Sequence, residues 1–302
     1  MPHPGSLLGI EALTDQAIAS ILSSARQLEL AGAHPALAGR RIALLFYEPS
    51  TRTRVSFEMA AKALGATTYL VLAAASSIEK GESLLDTALT LCAMGAEAIV
   101  IRHPSSGAPH FLSRYVDVPI INAGDGMHEH PSQALLDAFT ILEIRQRIAG
   151  LKIAVIGDIY HSRVARSDIH LLSRLGAEIV LCGPPELAPD VAVTLRPGLR
   201  LTRNADEAVR DADIIMLLRV QKERFGGLPL FVERYIAEFQ MTPQRLAKAR
   251  PDALVMHPGP MVRGMELTDA VADGARSLVL RQVRNGVAVR MAILRRAFGD
   301  VN

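Results

Sequence analysis

Tryptophan is absent from the 302 residues, aromatics make up only 4% of the chain, and there are two cysteines. The core must therefore be built from Leu, Ile, Val, Ala and Met. Cys92 and Cys182 stand far apart inside apolar stretches (ALTLCAMG and EIVLCGP), and neither belongs to a CxxC pair. Such spacing argues against a zinc or disulfide framework and for buried thiols in a reducing cytoplasm. Long hydrophobic runs are missing too: YLVLAAA at 69–75 is far shorter than the roughly 20 residues that span a bilayer. The start, MPHPGSLLGIEALTD, lacks the basic head and apolar stretch of a secretion signal. Neither charge dominates, and a formal net charge of +2 gives no sign of a nucleic-acid or membrane surface. A soluble, cytoplasmic protein is expected.

What is present is an alternation. RIALLFY (41–47), TTYLVLA (67–73), EAIVIRH (97–103) and VPIINAG (118–124) are near-continuous apolar runs, as parallel strands covered on both faces require. KIAVIGD (152–158), EIVLCGP (178–184), RLTRN (200–204), ADIIMLL (212–218) and ALVMHPG (253–259) form a second series. Helical patterns fall at 52–64, 83–94 and near 109–115, with others at 14–31 and 277–298. The two series are joined by 130–150, where Leu135, Leu136, Phe139, Leu142 and Ile148 recur at helical spacing and Gly150 is expected to stop the helix. The expected fold is α/β: two domains, each a parallel sheet flanked by helices, joined by crossing helices. The first domain is placed at 1–133, completed by a C-terminal helix at 285–302, and the second at 134–284.

The stretch YEPSTRTRVSFEMAAKALG (47–65) crowds hydroxyls and arginines where a strand gives way to a helix. With Ser50 or Thr51 as N-cap, the helix start offers free amides and a positive dipole end. Arg52 and Arg54 add forked donors that suit a phosphate. A capped surface helix with solvated arginines fits the same residues. The stretch is not a P-loop, since GxxxxGK[ST] is absent, and GDIYHSRVARS (157–167) lacks the GxGxxG of a dinucleotide site.

EPSTRTR followed by SFEMAAKALGA resembles the carbamoyl-phosphate signature of the transcarbamylases. So do SSIEKGESLLDT (76–87), IRHPSSG (101–107), GDGMHEHPSQALLD (124–137), GDIYHSRVARS, LLRVQKERF (217–225) and HPGPMVRGMEL (257–267), in family order over nearly the whole chain. The resemblance implies carbamoyl transfer without a cofactor or a metal. It assigns carbamoyl phosphate to Ser50, Thr51, Arg52, Thr53, Arg102, His130, Gln133 and the backbone of Gly259 and Pro260. Thr53, Arg102 and His130 would act on the carbonyl oxygen.

RVQKERF resembles the loop of the aspartate-accepting members, and HPGP stands where ornithine-specific members have HCLP. Arg163, Arg219 and Gln221 are therefore expected to bind the two carboxylates of L-aspartate, as part of pyrimidine synthesis. Ser76 and Lys80 would come from a neighbouring subunit of a homotrimer, and Lys80 would also contact aspartate. Glu48, Arg163 and Arg224 would bridge the domains on closure.

Family members differ in further partners: some are bare trimers, others add a regulatory chain or dihydroorotase. His128 and His130 form an HxH pair with no third metal ligand at recognisable spacing. Val262 stands where asparagine is commoner in the family, and it lacks the amide's hydrogen bonds. A carbamoyltransferase for ornithine or another amino acid, a dinucleotide-dependent oxidoreductase and a non-catalytic binding or scaffold subunit are the competing readings. The third is disfavoured because Arg52, Arg102 and His130 are present.

Overall fold

The computed structural model describes residues 2–32, 34–72, 81–220 and 229–299. The chain divides into two units, 1–139 with 283–302, and 140–282. It passes from one to the other inside two helices, α5 (Pro131–Arg145) and α11 (Val279–Ala297).

In the first unit, β1 (Arg41–Phe46), β2 (Thr67–Leu72), β3 (Ala98–His103) and β4 (Ile120–Asp125) form one parallel sheet in the order β2-β1-β3-β4. Helices α1 (Asp15–Ala31), α2 (Thr51–Ala63), α3 (Leu84–Ala93) and α4 (Ala108–Leu112) complete this unit with α5 and α11. Burial of the central strand β1 runs unbroken from Ile42 to Phe46, as the apolar run requires. Helix α2 buries Thr53, Ser56, Phe57, Ala60 and Ala61, a 3-1-3-1 spacing that puts one stripe on the sheet. Thr14 and Ser83 cap α1 and α3 by accepting from Ala17 and Asp86 amides.

The second unit repeats the plan with β5 (Lys152–Ile156), β6 (Glu178–Cys182), β7 (Arg200–Thr202), β8 (Ile214–Leu217) and β9 (Leu254–Met256). All are parallel, in the order β7-β6-β5-β8-β9. Around them lie α6 (Arg163–Arg174), α7 (Ala205–Val209), α8 (Pro229–Phe239), α9 (Pro243–Leu246) and α10 (Asp269–Ala272). Tyr235 and Phe239 stack at 5.5 Å and join Ile156, Ile215, Leu217 and Val255 in its core.

All nine expected strands form; β4 starts two residues late and runs one further, to Asp125, the expected end of β2 lies outside the described residues, and the other seven are one to four residues shorter. The helix expected to run to Gly150 instead stops at Arg145. Gln146 takes the left-handed region (φ 58°), and Arg145 turns its guanidinium to Asp252. A non-glycine residue at positive φ cannot continue a right-handed helix.

Candidate active site

In the first sheet the chain leaves β1 toward β2, while β3 lies on the other side of β1. The gap between β1 and β3 is therefore a topological switch point, where open α/β sheets receive ligands at the carboxyl ends of their strands. Phe46 pairs in register with Arg102, and the Tyr47 amide donates to the Arg102 carbonyl at 2.9 Å. Ser50 is the N-cap of α2, yet its hydroxyl makes no cap hydrogen bond, so the first turn meets the crevice with its amides uncapped by a side chain.

Thr53 points inward. Its Oγ1 lies 3.4 Å from His130 Nε2, with both residues 4% exposed. Ser132 Oγ approaches the opposite ring nitrogen, Nδ1, at 3.4 Å. Gln133 is buried, and its amide nitrogen donates to both oxygens of Asp137 at 3.1 and 3.2 Å. That orientation leaves its carbonyl oxygen as the group offered to a ligand. Glu48 Oε2 lies 3.3 Å from Arg102 Nε. Among the described residues Glu48 thus serves Arg102 inside its own unit, a pairing the sequence reading did not anticipate. Thr51 and Arg52 are exposed. Arg54, also expected to face phosphate, turns back along α2 to Glu58, 4.0 Å away. Two residues along a helix rotate a side chain by about 200°, so Arg52 and Arg54 cannot share a face.

Several supports carry no local sequence signal. The turn that delivers His130 is pinned by Asp125, which accepts from the Asn122 side chain (2.8 Å) and from the amides of Gly107 (2.7 Å) and Glu129 (3.1 Å). Burial pushes the Asp125 carboxyl up, but bonds from His128, Asn122 and Gly107 outweigh it and hold it below its ordinary value. Glu129 is 2% exposed and accepts the Ile10 amide on both oxygens, at 3.0 and 2.8 Å. A Cβ on Gly9 would stand 2.3 Å from that carboxylate, so a larger residue there would push the Glu129 side chain off the Ile10 amide.

The second sheet has its own switch point between β5 and β8. Gly157 (φ 128°) follows β5, where a Cβ would meet the Leu218 carbonyl at 2.8 Å. Asp158 is buried and binds the His161 amide (3.0 Å) and ring (2.9 Å), and Ser162 caps α6. Arg163 is thereby set at the first position of α6, half-buried. Arg219 is half-buried two residues beyond β8.

Its neighbour is held by a residue the sequence reading passed over. Glu266, 1% exposed, accepts the amide of Val220 at 3.0 Å and that of Val262 at 2.5 Å. Val262 thus contributes its amide, and its partly buried side chain packs against the core of the second unit. The Gly259 amide donates to His257 Nδ1 at 2.9 Å. With that donor engaged and proline lacking one, the segment Gly259–Pro260 offers carbonyls.

Burial raises the Glu266 carboxyl above its ordinary 4.5, opposed by the backbone bonds and by Arg219. A raised folded-state value means that its contribution to stability is full below 4.5 and is lost as pH rises through the folded value. Glu266→Gln abolishes this titration and leaves one of the two amides facing an NH2 group. We expect a loss of about 1–3 kcal/mol at acidic pH, with the gap to wild type narrowing as pH rises. Urea unfolding from pH 4 to 8 measures it.

Ser76, Lys80, Gln221 and Arg224 lie outside the described residues. Both cysteines are free, and burial pushes the Cys182 thiol up to about 12, far from a reactive thiolate.

The model of the aspartate/ornithine carbamoyltransferase carbamoyl-phosphate-binding domain matches residues 6–143, and that of the Asp/Orn-binding domain matches 149–296. The chain belongs to the aspartate/ornithine carbamoyltransferase family. Within that family it is 60% identical to the aspartate carbamoyltransferase catalytic subunit of Koribacter versatilis, over 96% of each chain. Its fold matches ornithine carbamoyltransferase from Pyrococcus furiosus with a TM-score of 0.88 (31% identity, 99% of each chain). It also matches aspartate transcarbamoylase from Trypanosoma cruzi in complex with carbamoyl aspartate and phosphate, with a TM-score of 0.86 (33% identity, 97% of this chain and 95% of that one). The carbamoyltransferase fold serves both amino substrates, so the fold does not choose between them.

Proposed function

We propose that this chain is an aspartate carbamoyltransferase, transferring the carbamoyl group of carbamoyl phosphate to the amine of L-aspartate in de novo pyrimidine biosynthesis. The observation that carries this reading is the convergence of Thr53, His130 and Arg102 at one helix start and one switch point. The phosphate rests on the first turn of α2 with Ser50, Thr51, Arg52 and Thr53. Thr53, Arg102 and His130 donate toward the carbonyl oxygen, where negative charge develops. The amine lone pair of aspartate bonds to the carbonyl carbon, and the bond from that carbon to the phosphate oxygen breaks with its electron pair. The amine proton passes to the departing phosphate, so no covalent enzyme intermediate forms. Gln133 and the carbonyls at Gly259–Pro260 accept from the carbamoyl NH2.

Arg163, Arg219 and Gln221 bind the aspartate carboxylates, while Glu48, Arg163 and Arg224 take part in closure. Two arginines suit a dicarboxylate and oppose the ornithine ammonium. The name of the Koribacter relative supports the same choice. Arg219→Ala is expected to raise KM for aspartate about ten- to a hundredfold, in line with the loss of a charged hydrogen bond. Carbamoyl phosphate affinity stays within about twofold, because uniform binding of the other substrate is untouched. Steady-state kinetics with each substrate varied in turn tests this. Carbamoyl transfer to L-aspartate, with L-ornithine in parallel, tests the reading itself; turnover of ornithine alone would overturn it.

Assembly as a homotrimer is part of this proposal, with Ser76 and Lys80 of one subunit completing the next subunit's site. Its support is an exposed apolar edge strand: Tyr69, Leu70 and Leu72 of β2 are 42–46% exposed, and Val55 and Met59 on α2 add to the apolar surface. The segment 76–80 follows in sequence, with three residues between it and the end of β2. Mixing Lys80→Ala with Arg52→Ala subunits should restore activity that neither parent has; a mixture as silent as its parents would rule out sharing. Among the described residues no helix is long and apolar enough to cross a membrane. A cytoplasmic location is part of this proposal, since two free cysteines suit a reducing compartment.

A further inference from the structure

The two histidines of HEH face different partners. His130 lies between Thr53 and Ser132, whereas His128 joins residues far from it in sequence. His110 comes from α4, Asp125 ends β4, and His128 lies in the turn between β4 and α5. The ligand atoms that these three offer all lie within 4.8 Å of one another. His128 Nδ1 is 3.1 Å from Asp125 Oδ2, and the His110 and His128 rings meet edge-on with centroids 5.6 Å apart. His110 Nδ1 is buried and has no hydrogen-bond partner among the described residues. A buried ring nitrogen in that condition is costly unless something occupies it.

We propose that His110, Asp125 and His128 form a binding site for a divalent zinc-class metal ion, separate from the substrate crevice. Zinc holds imidazole and carboxylate ligands at about 2.0–2.2 Å in a tetrahedron, which sets neighbouring ligand atoms about 3.3 Å apart. The His128–Asp125 edge already has nearly that length. The remaining edges, which lie within 4.8 Å, would have to shorten as the two half-buried rings turn toward the ion. Asp125 brings a ready outer layer, because Asn122 and the amides of Gly107 and Glu129 fix its carboxylate. Three protein ligands leave the fourth position to water. The ion would clip α4 to the turn that ends in His130.

The test uses the full chain, freed of metal by chelation and titrated with zinc chloride alone by calorimetry. One ion per chain is expected, with affinity at least tenfold weaker in His110→Ala and in His128→Asn. Each variant should keep the metal-free carbamoyl-transfer rate, since neither residue belongs to the substrate site. Cobalt(II) chloride gives a second reading on the wild-type protein that needs no variant. Visible bands of a tetrahedral nitrogen–oxygen site are expected, without the near-ultraviolet band of a thiolate ligand. Absence of binding, binding undiminished in His110→Ala, or a thiolate band that places the metal on Cys92 or Cys182 would each overturn the assignment.

Discussion

Arg102→Ala should lower kcat for carbamoyl transfer by about 10²–10³-fold, the loss found when one donor to a developing oxyanion is removed. Arg102 stands at the carboxyl end of β3, opposite Phe46 in register, so a rigid strand rather than a loop sets its position. Its side chain is 16% exposed and is steadied by Glu48. Glu48 is already 30% exposed beside Arg102 and can hydrate once the guanidinium is gone, so the fold should survive and the loss fall on chemistry. The carbonyl oxygen of bound carbamoyl phosphate carries little charge and gains it only as the tetrahedral centre forms. The deficit should therefore appear mainly in kcat rather than in KM for carbamoyl phosphate. His130→Ala should fall in the same range, and the double variant should lose less than the two combined, because both donors serve one oxygen. Glu48→Gln keeps a hydrogen-bond acceptor near Arg102 and should cost less than either. A kcat for Arg102→Ala within threefold of wild type would remove Arg102 from the transition state.

The strands were legible because parallel sheets demand unbroken apolar runs, and RIALLF or KIAVI can hardly be anything else once bounded by polar turns. The helix start at Ser50 was legible for a similar reason: cap chemistry is local. Less visible was anything set by contacts distant in sequence. Nothing near Glu129 announces that its carboxylate will hold the Ile10 amide, 119 residues away. Nothing near Val220 points to Glu266, and His110 gives no hint of His128. Arg54 failed differently. It shares a motif with Arg52, but helical geometry sends it to Glu58, so proximity in sequence was a poor guide to proximity in space. The end of α5 also escaped notice, since Gln146 in a left-handed conformation has no signature as clear as glycine.

Another long reach of this kind lies behind Gln133, where it leads to the second large effect. Arg290 on α11 is 3% exposed, donates to the Gly286 carbonyl at 3.1 Å, and lies 5.2 Å from the centre of the Phe57 ring. Burial lowers its guanidinium to about 10, while the charge of Asp137 opposes the shift. Asp137 is wholly buried and receives the Gln133 amide. Arg290→Met alone leaves the buried Asp137 carboxylate without the charge that acts on it through space, and Asp137→Leu alone leaves a buried cation. Each should cost about 1–3 kcal/mol, whereas the double variant should recover part of that stability, since the two buried charges are removed together. Function should not recover with it. Without Asp137 the Gln133 amide is free to turn, and its NH2 can face the carbamoyl NH2 in place of the carbonyl oxygen. Stability from urea unfolding should thus return toward wild type while KM for carbamoyl phosphate stays raised about tenfold, roughly one hydrogen bond's worth. If KM returned together with stability, the pair would be holding the core alone. If neither returned, Arg290 and Asp137 would be acting through separate partners.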